Sequence, residues 1–159
     1  MAEFDRMPRE LYRALSGEAF HRRRRLVLPL LTTDPEGYPR VALLTLSEVR
    51  ATSATALTVA VKSGSRTALN LIRRGSATVL YLARGVAASV QAKAGRGRAC
   101  GAHPDRQLFP LQVLRVRLDR PSAGEGNVAL LTGPTFTGSD GARLFSEELF
   151  AELGKVATP

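Results

Sequence analysis

The sequence predicts a mainly β fold: a small six-stranded antiparallel barrel with one helix between strands three and four and helices at both ends. Six short apolar runs follow one another at regular spacing between residues 26 and 121, and several of the connections between them contain Gly or Pro. One helical segment interrupts these runs, and amphipathic segments flank them in residues 1–25 and 139–154. We expect residues 1–159 to form one domain with a core of its own.

The N-terminal segment is predicted to be helical. Residues 8–17 place Leu11, Ala14 and Leu15 on one stripe of a helix. A second short helix is expected over residues 18–25, which end in the run HRRRR. Such a run can bind nucleic acid, and the alternative is a solvated helix end that leads into the first strand.

The first three strands precede the central helix. Residues 26–33 are an apolar run that ends at the turn DPEGYP, and residues 40–49 return as the second strand of a hairpin. The third strand, residues 56–62, leads directly into KSGSRTALNLIRRG at residues 62–75. This segment predicts a short helix, with Gly75 in the position of a C′ cap.

Three further strands follow the helix. The fourth and fifth strands, residues 76–83 and 87–95, are joined by a tight turn at Arg84-Gly85, and the sixth strand spans residues 109–121. After it we expect loop as far as the terminal helix. The sixth strand alternates most clearly, with apolar and basic residues on opposite faces: Leu114, Val116 and Leu118 against Arg115 and Arg117.

Strands one, two and four are apolar on both faces, whereas the strands of a solitary barrel alternate between apolar and polar residues. We therefore expect another layer to cover their outer faces. The terminal helices or a second subunit could supply that layer, and we favour a homodimer.

Composition limits the classes of partner and site. The net charge is +9, and 20 of the 23 basic residues are arginine, which favours anionic partners unless the excess reflects genomic nucleotide composition. A single cysteine, Cys100, and two distant histidines, His21 and His103, predict neither a disulfide nor a metal site. With no apolar run near the roughly 20 residues of a membrane helix and no secretion signal, we expect a cytoplasmic protein.

The start of the central helix has the parts of an anion site. Lys62 and Arg66 bracket its first turn, where the helix dipole disfavours cations, and Ser65 is a good N-cap. Gly64 would let a ligand approach the backbone, and the free N–H groups of the first turn point outward. A phosphate would turn both cations into charge-assisted partners. The alternative is a capped helix whose basic side chains reach into water.

Two motifs, DPEGYPRVALL and GSRTALNLIRRGSATVLYL, occur in this order with one strand between them. From about residue 26 to residue 82 the chain resembles the FMN-binding split barrels of the pyridoxamine 5′-phosphate oxidase-like superfamily. The resemblance implies a six-stranded antiparallel split β-barrel and a homodimer with FMN at the subunit interface. It also implies an oxidoreductase in which the flavin carries hydride or electrons between a reduced donor and a small acceptor.

The resemblance implies which residues bind FMN. Arg66 falls on the family's phosphate-binding arginine and Ser65 on its neighbouring serine, while Thr67 stands where the oxidase proper has a lysine. Ser89 or Gln91 on the fifth strand is a candidate polar contact to the ring. The other implied positions, together with the lysine of the anion site, are Arg40, Val41, Ala42, Leu43, Leu44, Thr45, Ala60, Val61 and Lys62.

The C-terminal part departs from the oxidase proper. That enzyme holds its pyridoxal substrate with Trp, Arg and His in a C-terminal strand region, whereas this chain has no Trp and residues 141–159 contain no His. Pyridoxamine phosphate is therefore not the expected substrate. Deazaflavin and haem, used by other branches, stay open as alternatives to FMN.

Two other classes stay open. A nucleic-acid-binding barrel without enzymatic activity would use the +9 charge, but only 6% of the residues are aromatic, and Tyr38, Tyr81 and Phe109 form no interleaved stacking set. A split barrel that has lost its cofactor could serve as a dimeric structural or sensory module.

Overall fold

The computed structural model describes residues 1–18, 24–137 and 146–156, which form nine strands and three helices. In chain order these elements are β1 (Ala2–Phe4), α1 (Arg9–Ser16), β2 (Val27–Thr33), β3 (Pro39–Thr45), β4 (Val49–Ser53), β5 (Ala56–Lys62), α2 (Arg66–Arg74), β6 (Ser76–Ala83), β7 (Val86–Ala94), β8 (Arg98–Ala99), β9 (Arg106–Asp119) and α3 (Glu147–Leu153).

The strands form one curled antiparallel sheet, a half-barrel. Seven of them lie in the order β3-β2-β6-β7-β9-β5-β4. The 14-residue strand β9 joins the two halves of the sheet, because its first residues pair with β5 and its last residues with β7. Strands β1 and β8 pair with β9 as well. Helix α2 packs against both β2 and β5, which lie in different halves of the sheet.

The predicted mainly β class is confirmed, but the predicted number of six strands is wrong. Three additional strands are present. Strands β1 and β8, of three and two residues, pair with β9. Strand β4 begins at Val49, the last residue of the predicted second strand. That strand ends at Thr45, and a 3₁₀ turn, Leu46–Glu48, follows. The Glu48 carboxylate accepts the Thr45 N–H at 2.7 Å and so turns the chain.

The predicted alternation of the last strand is wrong at Leu114. In the β7–β9 ladder, Gln91 pairs with Arg115 and Ala92 with Val113, so Leu114 is the extra residue of a β-bulge. Because the bulge shifts the alternation by one position, Val113 and Val116 are both buried, whereas Leu114 is 57% exposed.

The terminal helices differ from their predicted lengths. Helix α1 buries Leu11, Ala14 and Leu15, as predicted, and ends at Gly17 in the left-handed conformation. The predicted helix over residues 18–25 falls largely on residues 19–23, which lie outside the described residues. The predicted helix over residues 139–154 does not run through Ser146, because that residue is extended and its Oγ caps α3 by accepting the Leu149 N–H at 3.1 Å. Leu144 and Phe145 lie outside the described residues.

Helix α3 covers a small cluster beside the main core. Leu149 and Leu153 pack there with Ala60 of β5 and with Cys100. Arg50 of β4 anchors the helix, since its Nη1 donates to the Phe150 carbonyl at 3.0 Å and its guanidinium lies 4.5 Å from the centroid of the Phe150 ring. None of the helices in the described ranges is long and apolar enough to span a membrane.

Candidate functional site

The turn between β5 and α2 has the backbone geometry that an anion site requires. Gly64 adopts a left-handed conformation with φ of 69°, and a Cβ added there would meet no atom within 4 Å. Ser65 is the N-cap, and its Oγ accepts the Ala68 N–H at 3.2 Å. No acceptor for the N–H groups of Arg66 or Thr67 occurs in the described parts of the chain. Two backbone donors therefore remain at the positive end of the helix dipole.

The exposed basic side chains around this turn are positively charged. Lys62 and Arg66 are exposed, and neither is ion-paired within residues 1–18, 24–137 and 146–156. Thr67 is buried, with 7% of its surface exposed, so its side chain offers little area to a ligand. The structure thus places two cations and two free N–H groups on one six-residue stretch.

A partly buried ion pair lies beside the turn and connects it to the end of β3. Arg106 pairs with Lys62 in the β5–β9 ladder, and its Nη1 donates to Glu48 Oε1 at 2.6 Å. The other carboxylate oxygen of Glu48 accepts the Thr45 N–H. Glu48 therefore links Thr45 to the strand that lies against Lys62. This pair was not predicted from the sequence, in which its one local signal is the capping-box spacing from Thr45 to Glu48.

Strand β3 divides its predicted flavin-lining residues between two faces. Ala42 and Leu44 lie opposite Leu30 and Leu28 of β2 in the ladder, on the core side. Arg40 is on the same side by alternation, but it is exposed. Val41, Leu43 and Thr45 alternate with them on the outer side. Val41 is 54% exposed and Leu43 is 59% exposed. A ligand on the outer side would contact these two side chains directly, and would reach Leu44 only through its backbone.

The predicted third-strand residues have side chains that face protein. Val61 belongs to the main core. Ala60 lies on the opposite side of β5, where Leu149 and Leu153 of α3 cover it. Of the three predicted positions in β5, only Lys62 offers an exposed side chain.

The predicted polar contacts on β7 lie three strands away from β3. One row on the outer face of the sheet crosses four successive strands, because the ladders place these residues directly opposite one another: Val41, Leu31, Thr78 and Gln91. At about 4.8 Å per strand, Val41 and Gln91 are about 14 Å apart along the sheet. Gln91 lines a shallow cavity with Leu31, Thr78 and Leu114, and Ser89 lies one position along the same face. One chain therefore does not bring all the predicted residues into a single cavity.

No protein-family model and no curated protein matches this sequence. Solved structures with a similar fold do exist. A protein from Lactobacillus delbrueckii assigned as a pyridoxamine 5′-phosphate oxidase is 15% identical, with a TM-score of 0.54 over 74% of this chain and 99% of that chain. An FMN-binding protein from Syntrophomonas wolfei is 13% identical, with a TM-score of 0.54 over 69% and 86%. An F420 reductase is 14% identical, with a TM-score of 0.50 over 64% and 97%.

These identities are low, so the likeness concerns the fold. The chain shares the fold of these pyridoxamine 5′-phosphate oxidase-like and FMN-binding proteins, which confirms the type of fold that the two sequence motifs implied.

Proposed function

We propose that this chain is a flavoprotein that binds FMN, with the phosphate at the start of α2. The observation that carries the proposal is the pair of N–H groups on Arg66 and Thr67, flanked by the side chains of Lys62 and Arg66, none of which has a partner among the described residues. A dianionic phosphate would satisfy both donors and neutralise both cations. An FMN-binding protein and an F420 reductase share the fold, which supports a flavin-type cofactor and keeps deazaflavin as the alternative.

We further propose a redox role. Bound FMN supplies hydride and electron transfer between a reduced donor and a small acceptor, and the protein supplies binding and orientation. Arg66, Lys62 and Ser65 would hold the phosphate end. Val41 and Leu43 would offer apolar surface to the ring from β3. The described residues contain no group of three or more His, Cys, Asp or Glu side chains that could hold a metal ion.

A homodimer would complete the site. The outer side of β3 exposes Val41 and Leu43 on the last strand of the sheet, where an unpaired edge also remains. Because Ser89 and Gln91 lie about three strands from β3 in the same chain, we propose that these two polar contacts come from the partner subunit.

The nucleic-acid alternative is less well supported by the fold. Tyr81 and Phe109 are both buried, so they form no exposed stacking surface for a single strand on the sheet, and of the three aromatic candidates only Tyr38 is exposed. The cofactor-free module stays the main alternative, because a capped helix with solvated Lys62 and Arg66 would also satisfy the geometry.

The experiment is the visible spectrum of the purified full chain, followed by titration with FMN and fluorescence detection. We expect flavin absorbance, or tight FMN binding if the protein is purified without it. Arg66→Glu should abolish that binding, and Arg73→Glu, at the other end of α2, should not. A Soret band or deazaflavin absorbance would contradict the choice of FMN, and absence of any cofactor binding would favour the cofactor-free module.

A further inference from the structure

A second cavity, of about 610 Å³, lies at the β6–β7 turn and has no lining residue in common with the predicted flavin site. Its volume is within the 300–1,000 Å³ that is usual for small-molecule sites. Residues from α1, β6, β7, the chain before β2 and the segment 132–135 line it. It is therefore a composite cavity in which separate parts of the chain meet.

The floor of this cavity is apolar. Leu26, Tyr81 and Val86 line it, and all three are buried side chains that belong to the main core cluster. Side chains held in a close-packed core keep their positions, so the floor is preformed rather than assembled by the ligand. An aromatic or aliphatic group would lose water-exposed surface by packing on it.

One wall is a strap, residues 130–136, that backbone hydrogen bonds hold in place. Gly85 N–H donates to the Leu130 carbonyl at 2.9 Å, and Val27 N–H donates to the Pro134 carbonyl at 3.0 Å. Gly133 passes so close to β6 that a Cβ added to it would lie 1.8 Å from the Leu82 carbonyl oxygen. Glycine is thus required at this position, and the wall is a built feature of the fold.

The rim of the cavity is strongly basic. Arg25 and Arg84 line it, and the only acidic lining residue in the described part of the chain is Glu10. Glu10 is already ion-paired with Arg120, which does not line the cavity. Arg25 donates to the Phe136 carbonyl at 3.5 Å, and within residues 1–18, 24–137 and 146–156 it has no ion pair. The potential over the apolar floor is therefore positive.

We propose that this cavity binds a small organic anion, an apolar ring or chain that carries a carboxylate or phosphate. The apolar body packs on Leu26, Tyr81 and Val86, and the anionic group pairs with Arg25 and Arg84, whose planar guanidinium groups suit both oxyanions. This site is separate from the flavin site and does not depend on whether FMN binds.

The test is isothermal titration of the full chain with 2-naphthoate, with the neutral 2-naphthamide and with acetate, each in the absence and in the presence of saturating FMN. We expect 2-naphthoate to bind, and the other two ligands to bind at least about tenfold more weakly. The reason is that 2-naphthamide lacks the negative charge and acetate lacks the apolar ring. Saturating FMN should leave the naphthoate affinity unchanged. 1-Naphthyl phosphate in place of 2-naphthoate tells which anionic group is preferred.

The matched variants separate this site from general basic attraction. Arg25→Ala with Arg84→Ala should weaken the binding of 2-naphthoate by about tenfold or more. Arg73→Ala with Lys93→Ala also removes two positive charges, from exposed positions outside the cavity, and should have no effect. Circular dichroism checks that the double variant is folded, and the single variant Arg84→Glu is the substitute if it is not. Equal binding of naphthoate and naphthamide, unchanged affinity in the arginine variants, displacement by FMN or no binding at all would overturn the proposal.

Discussion

Asn70 of α2 donates from Nδ2 to Thr32 Oγ1 of β2 at 3.1 Å, and both side chains are buried. The bond lies beside Ala68 and Leu71, which pack into the main core from the same helix. Together these contacts fix α2 on the sheet, and with it the direction in which the free N–H groups of its first turn point.

This buried hydrogen bond is expected to stabilise the folded protein. Asn70→Ala leaves the Thr32 hydroxyl without its partner, so we expect the free energy of unfolding to fall by about 1–3 kcal/mol. The double replacement Asn70→Leu with Thr32→Val removes both polar groups and should come closer to the wild type. Urea unfolding measures both; an Asn70→Ala variant as stable as the wild type would contradict the assigned role.

The features that were predicted correctly from the sequence are those whose determinants lie close together in the chain. Alternation and Gly or Pro turns predicted six of the strands, and the anion site was recognisable because its determinants lie within the six residues from Lys62 to Thr67. The Asn70–Thr32 and Glu48–Arg106 contacts join residues 38 and 58 positions apart, and no local pattern specifies such partners. Strands β1 and β8 were missed because they are too short to show a period of two.

The apolar outer side of β3 predicts a homodimer. Light scattering at micromolar concentration should give twice the 17.1 kDa chain mass. Leu43→Glu would place a charge in the proposed interface and should shift the protein towards the monomer, because an unpaired buried charge is strongly unfavourable. Val128→Glu, at an exposed loop position, is the control and should remain dimeric. A monomeric wild type would leave the exposure of Val41 and Leu43 unexplained.

Oxidation of pyridoxamine phosphate is expected to be absent. The chain has no Trp, and in the described part of its C-terminal segment Leu149, Phe150, Leu153 and Val156 are buried against the sheet. That segment therefore supplies packing surface, whereas the resemblance implies that the oxidase proper holds its substrate with Trp, Arg and His of a C-terminal strand region. Hydrogen peroxide production on addition of pyridoxamine phosphate to the FMN-loaded protein measures the activity, and a robust rate would contradict the prediction.

The helix start predicts a preference for FMN over riboflavin. The two ligands share the ring and differ in the phosphate, for which Lys62, Arg66 and two backbone N–H groups are available. A hydrogen bond to a charged group contributes about 1.5–3 kcal/mol, so the dissociation constants should differ by at least about tenfold. Fluorescence quenching compares the two ligands directly. Equal affinities would show that the protein does not recognise the phosphate of FMN.

Arg66 allows the two interpretations of this helix start to be separated. The side chain is exposed, so Arg66→Ala should change the free energy of unfolding of the apo protein by no more than about 0.5 kcal/mol. Arg66→Glu should even stabilise the apo protein slightly, because an acidic residue suits the first turn of a helix. Urea unfolding without cofactor measures both effects, with Arg73→Ala as the control for loss of an exposed arginine from α2.

Cofactor affinity should move in the opposite direction. If Arg66 pairs with the phosphate, Arg66→Ala should weaken FMN by about 1.5–3 kcal/mol, which is about ten- to more than a hundredfold in dissociation constant. Arg66→Glu should weaken FMN binding further, because it places a negative charge beside the phosphate. Arg73→Ala should bind FMN with the affinity of the wild type. A gain in apo stability together with a loss of FMN affinity distinguishes a phosphate ligand from a solvated side chain, because a solvated arginine would leave FMN affinity unchanged in Arg66→Glu.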